Sequence, residues 1–497
     1  MASTPTNDDP VANPTYLGNI SGFFTPGDIG CMSAQGIDLG SYDGVRHHAT
    51  DIYEQTRAGN MPLGGTPWTA GRVQTFLNWI NTGFPMGTTP VPAPSDADAS
   101  TPGTTSEVRV RKNLAALSQP EIDMLKKAFS GIMALDPTDA TSPVNPNSYF
   151  GLAALHGLPN AYCMHHVDTY NPWHRVYVKA FEDALRSIEG CSDVTLPYWD
   201  ITTPVPAMVY EAPFANYTLP INIGDPNDYP AGYVTQRYDA PTIEANLLQA
   251  PSVPSDIADA LPSPIWGSFQ GGGFQQYIIE GHDDGHVSCG PTMSDQSVAA
   301  YDPIFWFFHC NWDRLWESWQ VLAEATTVPG FTATLDGNTD WLPLALDPYP
   351  DTSVQTIVWP DISYDALAGD TKTAPARLAG HALAERAFRV APTPRVSLRV
   401  KDIDRMNIPG TFVMQLMADG EPIARRAFFQ PRAPQDCATC RKQSLISLDF
   451  RLDQDLITGR TLSVAIEVPS LGKDGANFSL AQAGNPTINV RLLLTED

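Results

Sequence analysis

The stretch AYCMHHVDTYNPWHRVY, residues 161–177, sets His165, His166 and His174 close together and places Cys163 two residues before the adjacent pair. Its second half has helical texture. His174 is followed by Tyr177, Phe181, Ala184 and Leu185, so its imidazole lies on an apolar helix face. One histidine on such a face is ordinarily a satisfied core residue; a cluster of them points to a bound metal.

Outward from this stretch the remaining histidines are unevenly spread. His156 stands upstream, the interval 175–281 holds none, and then His282, His286 and His309 follow. His282 and His286, in HDDGH, are one helical turn apart, a spacing at which two rings converge on one ion. His309 belongs to the series Phe305, His309, Trp312, Trp316, again one helix face. Gly285 and the two aspartates make 282–286 a poor helix by propensity, so tertiary contacts or a metal must hold it. Imidazole ligation suits copper, zinc, iron or nickel. HDDGH has Asp283 where a zinc protease carries glutamate, and a two-histidine, one-carboxylate iron site has no use for a second triple. Two histidine triples fit two copper ions facing each other.

The 497-residue chain is too long for one ordinary core. With 42% hydrophobic and 17% charged residues it reads as globular, and its apolar runs are shorter than the ~20 residues a membrane span needs. A net charge of −25 disfavours nucleic acid and anionic membrane as partners. The start, MASTPTNDDPVANP, lacks a basic and then apolar leader, which gives a cytoplasmic expectation. The seven cysteines are scattered, so they are not a disulfide framework, and the close pair Cys437 and Cys440 reads as two ordinary thiols.

Three regions are expected. Residues 1–104 form a helical module with a linker: the first 40 are irregular, two helical patterns follow around 45–59 and 73–83, and 86–107 is linker by composition. Residues 105–375 form a mainly α-helical core, expected as an antiparallel four-helix bundle carrying the metal centre. It opens on the helix signal of Ser118, Pro120 and Glu121, and its Pro-rich segment 203–262 reads as loop. Residues 376–497 comprise a linker helix, ARLAGHALAERAFRV, and a C-terminal all-β domain. That domain is sandwich-like, with short alternating runs and a hairpin turn at ADGEP.

Together these motifs resemble the tyrosinases and the wider type-3 copper proteins, which include catechol oxidases and haemocyanins. The resemblance rests on HGLP around His156, PWHR around His174, LPYWD at 196–200, and DPIF followed by HCNWDRLW around His309, within about 106–375. It implies one copper held by His156, His165 and His174 and another by His282, His286 and His309. His165 rather than His166 is selected because the family spaces its second and third ligands nine apart; the run back to His156 is short for the family. It implies a thioether between Cys163 and His165. It further implies O2 as co-substrate, ortho-hydroxylation of small monophenols, and oxidation of o-diphenols to o-quinones.

Tyrosinases often carry an asparagine after the first ligand of the second copper, which with a nearby glutamate holds a water as base. The resemblance gives Asp283 two alternatives, to take the phenol proton or orient that water, or only to accept a hydrogen bond from a ligand imidazole, and makes Glu280 the candidate for the water-holding acid. Val287 is expected at the substrate entrance, while Asp302, Asp313, Arg314, Arg175 and Trp173 read as structural. The β domain resembles in position the domain that shields the site in inactive tyrosinases. The CATC pair is similar to one suspected of copper delivery in fungal members, so a copper-delivery partner is considered, as is a homo-oligomer. The N-terminal module is expected to be a lid or an assembly module. A catechol or o-aminophenol oxidase, and a haemocyanin-like O2 carrier, stay open as alternatives.

Overall fold

The computed structural model describes residues 10–33, 37–57, 61, 68–87, 108–337, 344–359, 361–369, 395–475 and 477–492. The linker expected over 86–107 lies almost wholly outside these residues, and the helix expected over 376–390 entirely so. The chain divides into two compact units. One comprises residues 1–109 with 324–363, and the other 110–323 with 364–497. The first unit therefore draws in a later segment of sequence, and the C-terminal β region shares the second unit with the histidine-bearing helices.

The first unit contains α1 (Pro26–Ser33), α2 (Tyr42–His47), α3 (Ala49–Arg57) and α4 (Ala70–Asn81). The first 40 residues are thus less irregular than expected, because Pro26 opens a helix instead of breaking one. In α4 the Thr69 hydroxyl caps Arg72 N, and Phe76, Trp79 and Ile80 are buried in an aromatic cluster with Tyr16, Tyr42 and Phe84. Arg46 pairs with Asp351 of the later segment at 3.1 Å.

The second unit begins with α5 (Gln119–Met133), where Ser118 and Glu121 form the reciprocal capping box that their spacing predicts. It continues with α6 (Tyr149–His156), α7 (Tyr170–Arg186), α8 (Ala240–Leu247), α9 (Val253–Ala260), α10 (Gly273–Cys289) and α11 (Ile304–Leu322). Helices α8 and α9 lie inside the segment read as loop. Their prolines sit in the first turn behind the N-caps Asp239 and Ser252, where proline starts a helix. The core is aromatic: Trp306, Trp312, Trp316 and Trp319 of α11 are buried, and Trp306 stacks on Phe181 of α7 at 3.5 Å. No described helix is long and apolar enough to cross a membrane.

A short helix, α12 (Val328–Ala333), and two three-residue strands, β1 (Arg109–Arg111) and β2 (Ile362–Tyr364), precede the C-terminal region. That region holds β3 (Arg395–Asp404), β4 (Phe412–Ala418), β5 (Glu421–Phe428), α13 (Ala438–Lys442), β6 (Leu445–Asp453), β7 (Leu462–Glu467) and β8 (Thr487–Leu492). They form two three-stranded antiparallel sheets, ordered β6–β3–β8 and β5–β4–β7. Val396, Leu398 and Val400 of β3 face Leu452, Phe450 and Leu448 of β6, so alternate residues are buried as the period-2 pattern requires. The turn from β4 to β5 puts Asp419 and Gly420 at φ 53° and 84°, the left-handed pair a two-residue hairpin needs. Cys437 and Cys440 are joined as a disulfide, where two ordinary thiols were expected.

Candidate metal centre

Five of the expected ligands come from four helices: His156 from the last turn of α6, His174 from α7, His282 and His286 from α10, and His309 from α11. His165 lies in the segment between α6 and α7. Two close approaches permit this convergence. A Cβ on Gly157 would meet the Ser297 carbonyl oxygen at 2.3 Å, and one on Gly285 would meet the Phe308 ring at 2.9 Å. Glycine in HDDGH thus weakens α10 locally but lets α11 pack against it.

All six imidazoles are buried, and burial lowers the basicity of each: His174 and His286 fall to about 3, and the other four well below the usual histidine value. They are therefore neutral near pH 7, the state that ligates a metal. Backing bonds fix which nitrogen faces inward. Nδ1 of His174 meets the Tyr170 carbonyl at 2.8 Å, Nδ1 of His286 the Met293 carbonyl at 2.8 Å, and Nδ1 of His282 the Asp283 carboxylate at 3.0 Å. Nε2 of His165, His174 and His282, Nδ1 of His309 and both nitrogens of His156 have no hydrogen-bond partner. Buried nitrogens without partners are costly unless something else binds them, and a metal with imidazole preference fits.

The ligand atoms of His282, His286 and His309 lie within 4.8 Å of one another, as do those of His156, His174 and His309, and those of His156, Cys163 and His165. His309 therefore belongs to two groupings, and its ring stacks on His174 at 4.6 Å. Across the expected triples, His165 lies 5.5 Å and His174 6.3 Å from His282, ring centre to ring centre. All six are gathered in one cluster.

His166 stands apart from these groupings. Its Nε2 lies 2.7 Å from Asp283 Oδ2, and its ring stacks on Phe428 at 4.1 Å and packs against Phe269 at 4.6 Å. Cys163 is buried, which pushes its thiol up to about 12. The Gln296 amide nitrogen touches both Cys163 Sγ, at 2.9 Å, and His165 Nδ1, at 3.0 Å. Both oxygens of Asp283 are engaged: Oδ1 with His282, Oδ2 with His166 and with the backbone N–H of Phe429 at 3.0 Å. Those contacts are those of an acceptor that orients the His282 ring.

Glu280 is not brought together with the histidines. It lies two residues before His282, about 200° around the helix, and its carboxylate takes Arg451 at 2.7 Å and Gln276 at 2.8 Å, away from the cluster. Val287 is buried against Val413 and Ala427 of the β region. Of the residues read as structural, Asp302 pairs with Arg237 at 2.6 Å, and Asp313 with Arg111 and Arg175.

One residue that sequence reasoning did not single out sits at the cluster. Phe429, just past the end of β5, stacks on His286 at 4.0 Å and lies 5.2 Å from His165, 5.9 Å from His282 and 6.4 Å from His156. One side chain of the β region thus touches rings of both triples. The only sequence signal is ARRAFFQ, where two adjacent phenylalanines break the strand alternation. The neighbouring Arg426 and Ala427 hold Asp284 of α10: Arg426 Nη1 donates to it at 2.6 Å and the Ala427 N–H at 2.6 Å. The helix that propensity leaves weak is held by the β region.

Residues 146–322 match the family model described as the common central domain of tyrosinase. The chain is 31% identical to Hemocyanin 1 of Megathura crenulata over 248 residues, 44% of this chain but 6% of that protein's length. It is 24% identical to a tyrosinase of Aspergillus oryzae over 449 residues, covering 62% of this chain and 80% of that one. Its fold is similar to that of a tyrosinase from Burkholderia thailandensis, at TM-score 0.56 and 21% identity over 77% of this chain and all of that one. Residues 146–322 thus match a tyrosinase-type central domain, and the chain is similar over part of its length to tyrosinases and haemocyanins.

Proposed function

We propose that this protein is an O2-dependent phenol oxidase of the tyrosinase type, hydroxylating monophenols and oxidising o-diphenols to o-quinones, in a closed form. The observation that carries this reading is the cluster of six neutral, buried imidazoles with Phe429 stacked over it. Two copper ions, held by His156, His165 and His174 and by His282, His286 and His309, would supply the redox chemistry. The protein's own contribution is positioning. Tyr170, Met293 and Asp283 fix the ring faces of His174, His286 and His282. Phe305, Phe308 and Phe429 exclude water. A phenol has a pKa near ~10 and must lose its proton to bind as phenolate. Asp283, whose oxygens meet His282, His166 and the Phe429 amide, orients the His282 ring.

The matched stretch of Hemocyanin 1 supports a second reading, reversible O2 binding without turnover. Quinone formation from a monophenol and from a catechol, measured on copper-loaded full-length protein before and after opening, separates the readings. Product from both supports tyrosinase, product from catechol alone supports catechol oxidase, and an O2-dependent absorption band with no product supports the carrier.

Metal analysis checks the ligand assignment. His165→Ala should hold about half the copper of the wild type, whereas His166→Ala should keep the full amount. Equal loss in both would overturn the choice between the neighbours. The contact of Cys163 with the Gln296 amide beside His165 supports the thioether. After copper loading in air, intact-mass measurement should show the loss of two hydrogens, absent in Cys163→Ser. A free thiol at Cys163 in the loaded wild type would refute the bond.

A further inference from the structure

A cavity of about 720 Å³ lies between the β5–β4–β7 sheet and helices α8 and α10. The register of the sheet fixes its floor. Gln415 of β4 is opposite Arg425 of β5, and Val413 is opposite both Ala427 and Glu467, so Val413, Gln415, Arg425 and Glu467 share one face. All four line the cavity, and Asn246, Ser294 and Tyr238 lie across from them. Its inner end is Val287, buried with Val413 and Ala427. The residue before Val287 in α10 is His286, on which Phe429 is stacked. Its outer lining includes the exposed Tyr238, Thr242 and Pro291, so the space opens to solvent.

The charges in this cavity are not all spent. Arg432 is compensated by Asp295 at 2.7 Å and Asp228 at 2.9 Å, and lies over the Tyr229 ring. Glu467 accepts from Gln415 at 3.2 Å. Arg425 is different. Its Nη2 donates to the Asn246 carbonyl at 3.2 Å and the Ser288 hydroxyl at 3.1 Å, and among the described residues no carboxylate lies within ion-pair distance. Those two neutral acceptors hold the guanidinium in place while Nε and Nη1 stay available. A planar cation held so that a fork of N–H groups is left over is suited to a carboxylate. The volume is that of a small-molecule site, about 300–1,000 Å³.

We propose that this cavity is a binding site for phenols that carry a carboxylate, the acid on Arg425 and the ring toward Val287 and Tyr238. A ligand so placed waits beside the closed copper site, one residue from His286. The inference rests on the phenol-oxidase reading only for the phenolic ring, and its test does not use turnover. The probe is 3-(4-hydroxyphenyl)propionate, titrated by calorimetry into copper-free full-length protein, with tyramine as the amine counterpart of similar size.

The propionate should bind and tyramine should bind at least tenfold more weakly. Arg425→Gln should weaken the propionate at least tenfold. Gln415→Trp, which fills the floor of the cavity, should abolish binding while circular dichroism stays native. Absence of binding in the wild type, equal affinity for tyramine, or unchanged affinity in both variants would overturn the proposal. A failure here leaves quinone formation by the copper-loaded protein to be judged separately.

Discussion

Phe429→Gly should raise the phenol-oxidising rate of intact, copper-loaded protein at least tenfold while lowering its thermal stability. The two effects share one cause. The Phe429 ring is fully buried, stacks on His286 and lies near three further histidines of the cluster. Removing a buried phenylalanine ring costs about 3–5 kcal/mol in lost burial and cavity; stacking on His286 adds about 0.5–1.5 kcal/mol more. The same deletion opens the approach to the rings that would hold the metal. The Phe429 amide remains, so its bond to Asp283 can persist and the β region need not leave. A destabilising change that increases activity is hard to obtain by any route other than removing an obstruction. The checks are initial rates with a catechol at saturating copper, gel analysis showing an uncut chain, and a melting curve. An unchanged rate with full copper content would sink the closed-form reading.

The gathering of six histidines into one cluster was legible because their residue type is rare and their spacing local. His282 and His286 announce a shared helix face, and His174 and His309 sit in apolar series that only a helix explains. The α5 start was equally local, since Ser118 and Glu121 cap each other within one turn. What stayed hidden depends on partners far along the chain. Asp284 reads as a helix-weakening residue until Arg426, 142 positions later, is placed beside it. Glu280 is a candidate only through the resemblance, and its carboxylate meets Arg451 instead. Phe429 carries no chemistry of its own, and it acquires a role only because the last residues of β5 lie along α10. The prolines of 203–262 misled for a different reason: proline both ends and begins helices, and here Asp239 and Ser252 decide in favour of beginning.

Arg426→Met should undo the attachment of the β region to the helical core, by about 3–5 kcal/mol, the cost of leaving buried charge without its partner. Arg426 is 0% exposed. It donates to Asp256 of α9 at 2.6 and 3.1 Å, to Asp284 of α10 at 2.6 Å and to the Asp449 carbonyl at 3.1 Å. Arg451 beside it serves Asp256 and Glu280, at 2.8 and 2.7 Å. With the guanidinium gone, Asp284 keeps only the Ala427 amide, and Asp256 keeps only Arg451. Because α10 depends on these contacts to stay helical around HDDGH, copper retention should fall along with the melting temperature.

The triple variant Arg426→Met, Asp256→Leu, Asp284→Leu tests the cause. It removes the stranded charges as well as the cation, and exchanging a whole buried ion cluster for apolar groups is often neutral or stabilising. It should therefore recover most of the lost stability. Limited proteolysis reads the attachment directly, since a loosened β region is cut sooner. If the single variant melts like the wild type, or the triple melts no higher than the single, then packing between α10 and β5, and not the buried charges, holds the β region in place.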